Sequence, residues 1–318
     1  MRRRALGLSL LGTLATPALA LEQRPLRLVV PFAPGGGNDI FARLYAEPLG
    51  QRLQRAVVVE NRSGASGNIG AEAVVRSPPD GTAMLYASAT IAINPSIMAN
   101  MPFDTERDLL PVSLVVSQPY VAVARADTGV RNVAALRAAL QNGRPDWNYG
   151  SAGSGSISNI VPALLFRQAG LNVTHVPYRG AGQVVTALLT GEVQFAFLIY
   201  PVAKPFLERG DLLPFGVTGT EEMPQLPGIA PFVAQGFPDL VADQWHALFA
   251  PRETPMAMAE EVQRGLAETI RTGSIAERLR AEGATPVGST PQDFAPFFRT
   301  ELVRWRRIVE AAGVAQAG

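Results

Sequence analysis

Three times in this chain an apolar, strand-like run stops at glycine and small residues and passes straight into a new element. The first run, Arg27–Phe32, ends in Ala33-Pro-Gly-Gly-Gly37, and Ile40, Phe41, Leu44, Tyr45 and Leu49 then recur at helical spacing. The second, Val57–Glu60, leads into Ser63-Gly-Ala-Ser-Gly-Asn-Ile-Gly70. The third, Trp147–Tyr149, leads into Gly150-Ser-Ala-Gly-Ser-Gly-Ser156 and a helical stretch from Ile157 to Gln168. Strands alternating with helices pack as mainly parallel sheets covered by helices, so the fold class is α/β.

The rest of the chain follows the same grammar. Gly81–Ala87, Tyr120–Ala124, Val173–Val176, Val193–Leu198, Leu213–Val217 and Trp245–Phe249 read as strands. Val133–Leu140 and Gly182–Leu189 read as helices, as do Pro255–Ile270, Ser274–Ala281 and Pro291–Ala311 near the C-terminus. Asn38 or Asp39 is positioned to cap the first helix, and Pro48 to kink or end it. At 318 residues the chain reaches the size where one core stops growing efficiently, which favours two lobes. With crossings near Val121–Ala126 and Thr218–Asp243, residues 21–122 and 225–318 form a discontinuous first lobe and residues 123–224 a second.

Composition removes several classes of function. A net charge of +1 gives no electrostatic footprint for nucleic acid. No cysteine and two histidines leave a structural zinc site without ligands. The first twenty residues have the layout of a secretory signal peptide: Arg2–Arg4, an apolar run from Ala5 to Ala15, and Ala18-Leu-Ala20 as the cleavage site. The mature chain is expected to start near Leu21 and to carry no membrane span.

The three loops are the candidate site. Glycine lets backbone N–H groups approach a ligand closely. The first turn of a helix has unpaired N–H groups and a partial positive potential, which suit a carboxylate or phosphate. Ser66, Asn68, Ser151, Ser154 and Ser156 add donors, and Phe32, Ala33, Gly36, Gly67, Ala152 and Gly155 lie in the same loops. Ser88 follows the third strand. No GxxxxGK[ST] loop and no GxGxxG after the first strand is present, so carboxylate is favoured over phosphate and no nucleotide cofactor is expected. Turn and cap chemistry alone would explain any single loop. Asp39 either caps its helix or meets a ligand amine or hydroxyl. Arg179, after Tyr178, either pairs with a second carboxylate or lies on the surface. Tyr200 and Phe32 suit a pocket wall or a core. His175 and His246 invite a catalytic reading, but no GxSxG elbow is present and no triad can be named.

Taken in order, Val30–Asp39, Val57–Gly70, Pro79-Asp-Gly-Thr82, Asn148–Ser156, His175-Val-Pro-Tyr-Arg-Gly180, Leu226-Pro-Gly228 and Trp245 with Ala250-Pro251 carry a resemblance. The chain resembles the Bug-type periplasmic solute-binding receptors of tripartite tricarboxylate transporters over nearly its whole mature length. The resemblance implies a type II periplasmic-binding fold, with a ligand cleft between two α/β lobes. It implies a monomer that pinches a small organic carboxylate between Phe32–Asp39 and Gly64–Gly70 on one side and Ser151–Ser156 on the other. It implies delivery to a membrane permease of one large and one small subunit, with no cofactor and no catalysis. The chain departs from the family pattern at Ala33-Pro34, where two prolines are common, and at Asn159, where histidine is common. It also lacks the usual acid in Phe197–Pro201. The last departure leaves room for a monocarboxylate with a less polar body.

Overall fold

A computed structural model of the chain describes residues 24–35, 37–141, 147–271 and 273–314. The expected signal peptide and Gly36 lie outside the described residues. The strands are β1 (Leu26–Val30), β2 (Val57–Asn61), β3 (Ala83–Ser88), β4 (Leu109–Arg125), β5 (Asn148–Ser151), β6 (Thr174–Pro177), β7 (Phe195–Ile199), β8 (Leu212–Val217), β9 (Asp243–Pro251) and β10 (Thr285–Pro286). The helices are α1 (Gly37–Leu53), α2 (Asn68–Val75), α3 (Thr90–Ile97), α4 (Val133–Gln141), α5 (Ile157–Ala169), α6 (Ala181–Thr190), α7 (Tyr200–Glu208), α8 (Met256–Arg271), α9 (Gly273–Ala281) and α10 (Pro291–Ala312). No described helix is long and apolar enough to cross a membrane.

Strand order is β2-β1-β3-β9-β4-β7-β5-β6, with β8 and β10 also pairing β4. β4 is the shared element. Its Leu109–Pro119 portion pairs with β9, and Tyr120–Ala124 pairs with β7. At roughly 3.3 Å per residue, its 17 residues span about 55 Å, the length of two short sheets set end to end. The inner strands read as continuous apolar runs because both faces are covered; every residue of β3 is buried.

The apolar clusters divide by sheet face. On one face Trp245, Phe249, Phe197 and Phe215 share a cluster with Phe294, Phe298 and Trp305 of α10, so this core serves both lobes. On the other face the cores are separate. One holds Phe41, Tyr45 and Leu49 of α1 with Val262 and Leu266 of α8, and the other holds Val184 and Leu188 of α6 with Ala203 of α7. Burial of each Val, Leu or Phe side chain among these stabilises the fold by about 1.5–3 kcal/mol.

α10 is well specified. Thr290 Oγ1 accepts the Asp293 N–H, Pro291 occupies the first turn, and Gly313 at φ 67° closes the far end. Its Glu301, 3% exposed, accepts hydrogen bonds from Trp245 Nε1 (2.7 Å), Trp305 Nε1 (3.0 Å) and Arg304 Nη1 (2.7 Å). That carboxylate locks α10 to β9. The expected cap does not form on α1: the helix begins at Gly37, so Asn38 and Asp39 lie inside its first turn, and the helix runs through Pro48 to Leu53.

Candidate ligand-binding cleft

Strand direction places the site. β3 and β4 are both antiparallel to β9, so β1, β2 and β3 run in the direction of β4, towards the second lobe. β7 is antiparallel to β4, and β5 and β6 are parallel to β7, so these three run towards the first lobe. The carboxyl ends of the two parallel sets therefore face each other. Open α/β sheets bind ligands beyond these strand ends. α1, α2 and α3 begin there from one side, and α5, α6 and α7 from the other. None of the six first turns carries Lys, Arg or His, and their single ionised group is Asp39.

Asp39 is engaged inside the protein. Its carboxylate accepts from Gly35 N–H (2.9 Å), Asn61 Nδ2 (2.9 Å) and Arg43 Nε (3.0 Å). Burial alone would raise its pKa; the hydrogen bonds from Arg43, Gly35 and Asn61 outweigh burial and hold it below the usual carboxylate value. Asn61 Nδ2 also reaches Phe32 O at 3.0 Å, so the end of β2 shapes the first loop. Phe32 is half-buried against Gly67, whereas Ala33 is exposed.

The second loop has an unusual backbone. Gly64, Ala65, Ser66 and Gly67 follow one another at φ 132°, 46°, 52° and 94°. Ala65 and Ser66 are not glycine, so this left-handed run stores roughly 1–3 kcal/mol at each. Asn94 of α3 holds it, donating from Nδ2 to Ser66 O (3.0 Å) and Asn68 Oδ1 (2.8 Å). Asn68 itself turns inward, with Nδ2 at 2.9 Å from Met98 Sδ and 3.2 Å from Met101 Sδ. Ser66 stays exposed. Gly70 lies so close to Pro31 that a side chain there would meet backbone, which joins this loop to the first. Ser88, fully buried, shares a 2.9 Å hydrogen bond with Thr90.

The third loop opens α5. Ser151 is fully buried, and its Oγ lies 2.7 Å from His175 Nε2 and 3.0 Å from Gly153 O. Ser156 Oγ donates to Gly153 O at 2.7 Å, Ala152 N–H donates to Ser158 Oγ at 3.0 Å, and Gly155 N–H to Asn159 Oδ1 at 3.1 Å. Asn159 thus braces this loop. The Ile157 and Ser158 N–H groups form no backbone hydrogen bond among the described residues. Ala152 and Ser154 are exposed.

Tyr178 donates its N–H to Ser151 O (2.9 Å) and lays its ring on Gly150. Arg179 is exposed, and among the described residues only its N–H is engaged, to Gln183 Oε1 at 3.0 Å. Tyr200 is 9% exposed and packs on Gly283. The other histidine lies elsewhere: His246 is fully buried between Phe41 and Tyr86, neither ring nitrogen has a partner among the described residues, and burial lowers its pKa from 6.5 to about 3. Among the described residues no group of His, Cys, Asp and Glu could hold a metal ion.

Ser66, Ser154, Ala33 and Ala152 are thus the exposed members of these loops, while Asp39, Asn68 and Ser151 are buried and brace them. The sequence reading gave no site role to Asn61, Asn94 and Asn159, the three amides that hold the loops. Only Asn159 lies shortly after the loop it braces; Asn61 and Asn94 reach theirs from 22 and 28 positions away.

Comparison with known proteins gives the family and the fold. The model of the tripartite tricarboxylate transporter family receptor matches residues 41–314. Protein BugT of Bordetella pertussis is 31% identical over 292 residues, covering 91% of this chain and 90% of BugT. The structure of R. palustris Rpa4515 with adipate superposes with a TM-score of 0.85 at 31% identity, covering 92% of this chain and 98% of that one. MatC from Rhodopseudomonas palustris with bound malate gives a TM-score of 0.80 at 27% identity, covering 90% of this chain and 99% of that one. The chain belongs to the tripartite tricarboxylate transporter receptor family, as a Bug-type member with two α/β lobes facing across a cleft.

Proposed function

We propose that the protein is an extracytoplasmic receptor that captures a small organic carboxylate in this cleft and hands it to its membrane permease. The observation that carries the reading is the convergence of six helix starts, none with a basic side chain in its first turn, with the Ile157 and Ser158 N–H groups of α5 free of backbone partners among the described residues. The carboxylate is held by backbone N–H groups and by the Ser66 and Ser154 hydroxyls. The relatives solved with adipate and malate support the ligand class. Capture proceeds by approach of the two lobes over the ligand. The lobes are residues 21–122 with 225–318, and residues 123–224. Support for this division comes from β4, whose partner changes from β9 to β7 after Pro119. Cleavage near Ala20 releases the receptor into the periplasm, where it works as a monomer with a permease of one large and one small subunit.

The protein binds its cargo without transforming it. Ser151 and His175 are adjacent, yet Ser151 is fully buried, and no carboxylate hydrogen-bonds His175 among the described residues. A nucleophile needs both access and an oriented base.

A thermal-shift screen against mono-, di- and tricarboxylates and neutral sugars tests the reading, because a ligand that binds only native protein raises its melting temperature. A shift with carboxylates is expected. A shift with sugars and none with carboxylates overturns it.

A further inference from the structure

We propose that Ile97 and Ile199 are cross-cleft pins that set how far the receptor stays closed, and through closure its affinity. Ile97 ends α3 on the first-lobe side and is 4% exposed. Its Cδ1 fills the space over Gly155, in the loop before α5, where any Cβ would stand. Ile199 ends β7 on the opposite side, and its Cδ1 lies 3.2 Å from the position of a Cβ on Gly37, the first residue of α1. One pin thus points from the first lobe to the second, and the other points back.

The seats matter as much as the pins. Gly155 lies two residues before α5 and Gly37 opens α1, so each seat lies at a helix start beyond the carboxyl end of a strand. Parting the lobes pulls both isoleucines off their glycines and wets apolar surface, which favours the closed form. Cargo acts on the same loops and shifts the same equilibrium. Affinity then scales with the fraction of molecules that can close. This inference rests on the cleft being the cargo site, but its test needs no cargo.

The chain has no cysteine, so Gln51→Cys on α1 and Glu208→Cys on α7, both exposed, can carry paired spin labels. Pulsed electron–electron resonance on cargo-free protein should show the Ile97→Ala/Ile199→Ala variant shifted to longer distances. Its open population should rise on the order of tenfold. Gly155→Ala should shift the same way, because its Cβ collides with Ile97. Ile199→Ala alone, at a half-buried site, keeps the test readable if truncation of Ile97 prevents folding. Cooperative melting identifies the folded variants. An unchanged distance distribution in the folded variants overturns the proposal, whatever the carboxylate screen shows.

Discussion

Ser151 Oγ and His175 Nε2 lie 2.7 Å apart on the neighbouring parallel strands β5 and β6. Burial lowers the pKa of His175, so near pH 7 the ring is neutral and serves as a hydrogen-bond partner for the serine. The pair fixes the point where β5 turns into the third loop, since Ser151 Oγ also receives the Gly153 N–H at 3.2 Å. Ser151→Ala is therefore a stability mutation, expected to cost about 1–3 kcal/mol through partners left unsatisfied. Urea denaturation reads this directly, and a variant as stable as wild type would contradict it.

Ser154 gives the opposite expectation. It is exposed and makes no side-chain hydrogen bond among the described residues, so Ser154→Ala should leave stability within about 0.5 kcal/mol. Its affinity for a carboxylate should fall by about 1.5–3 kcal/mol, the usual range for a hydrogen bond to a charged group. Titration calorimetry decides whether this hydroxyl touches cargo.

His246 predicts acid sensitivity. The unfolded histidine takes a proton near its ordinary value of 6.5, whereas the folded one resists protonation down to about 3. Between those values the unfolded state binds more protons, so stability falls as pH falls. The loss attributable to this residue is roughly 3–5 kcal/mol at its limit. His246→Phe, placed between Phe41 and Tyr86, should flatten the melting-temperature profile between about pH 6 and pH 4. An equally steep profile would assign the acid loss to other groups.

Ala65→Gly tests the left-handed run. At φ 46° an alanine pays a steric cost that glycine avoids. The substitution should stabilise the protein by about 0.5–1 kcal/mol after the added chain entropy of glycine is subtracted. Calorimetric melting measures the sign.

Much of this architecture is legible in the chain. The glycine-rich junctions after β1, β2 and β5 announce strand, loop and helix because they break two periodicities at once. Proline hid other parts. The Leu109–Pro119 portion of β4 contains Pro111 and Pro119, and register shifts follow Pro111 and Leu114. α3 carries Pro95, and α7 carries Pro201 and Pro205, so neither shows an uninterrupted helical pattern. At the cleft, residue types were legible but directions were not. Asp39 is satisfied by Asn61, 22 positions away, and Ser66 O by Asn94, 28 positions away. Only tertiary closure decides which polar groups face inward. Ile97 and Gly155 meet for the same reason, with nothing in either segment to indicate the other.

β9 lies between β3 and β4 although it follows them by more than a hundred residues. The first sheet therefore stays split until residue 251 arrives, whereas β5, β6, β7 and β8 assemble against β4 from contiguous chain. Contacts that must wait for distant sequence form slowly. Until its last central strand is inserted, the folding chain holds one finished sheet beside one with an open seam. That seam is the place where a chaperone would find unpaired strand edges.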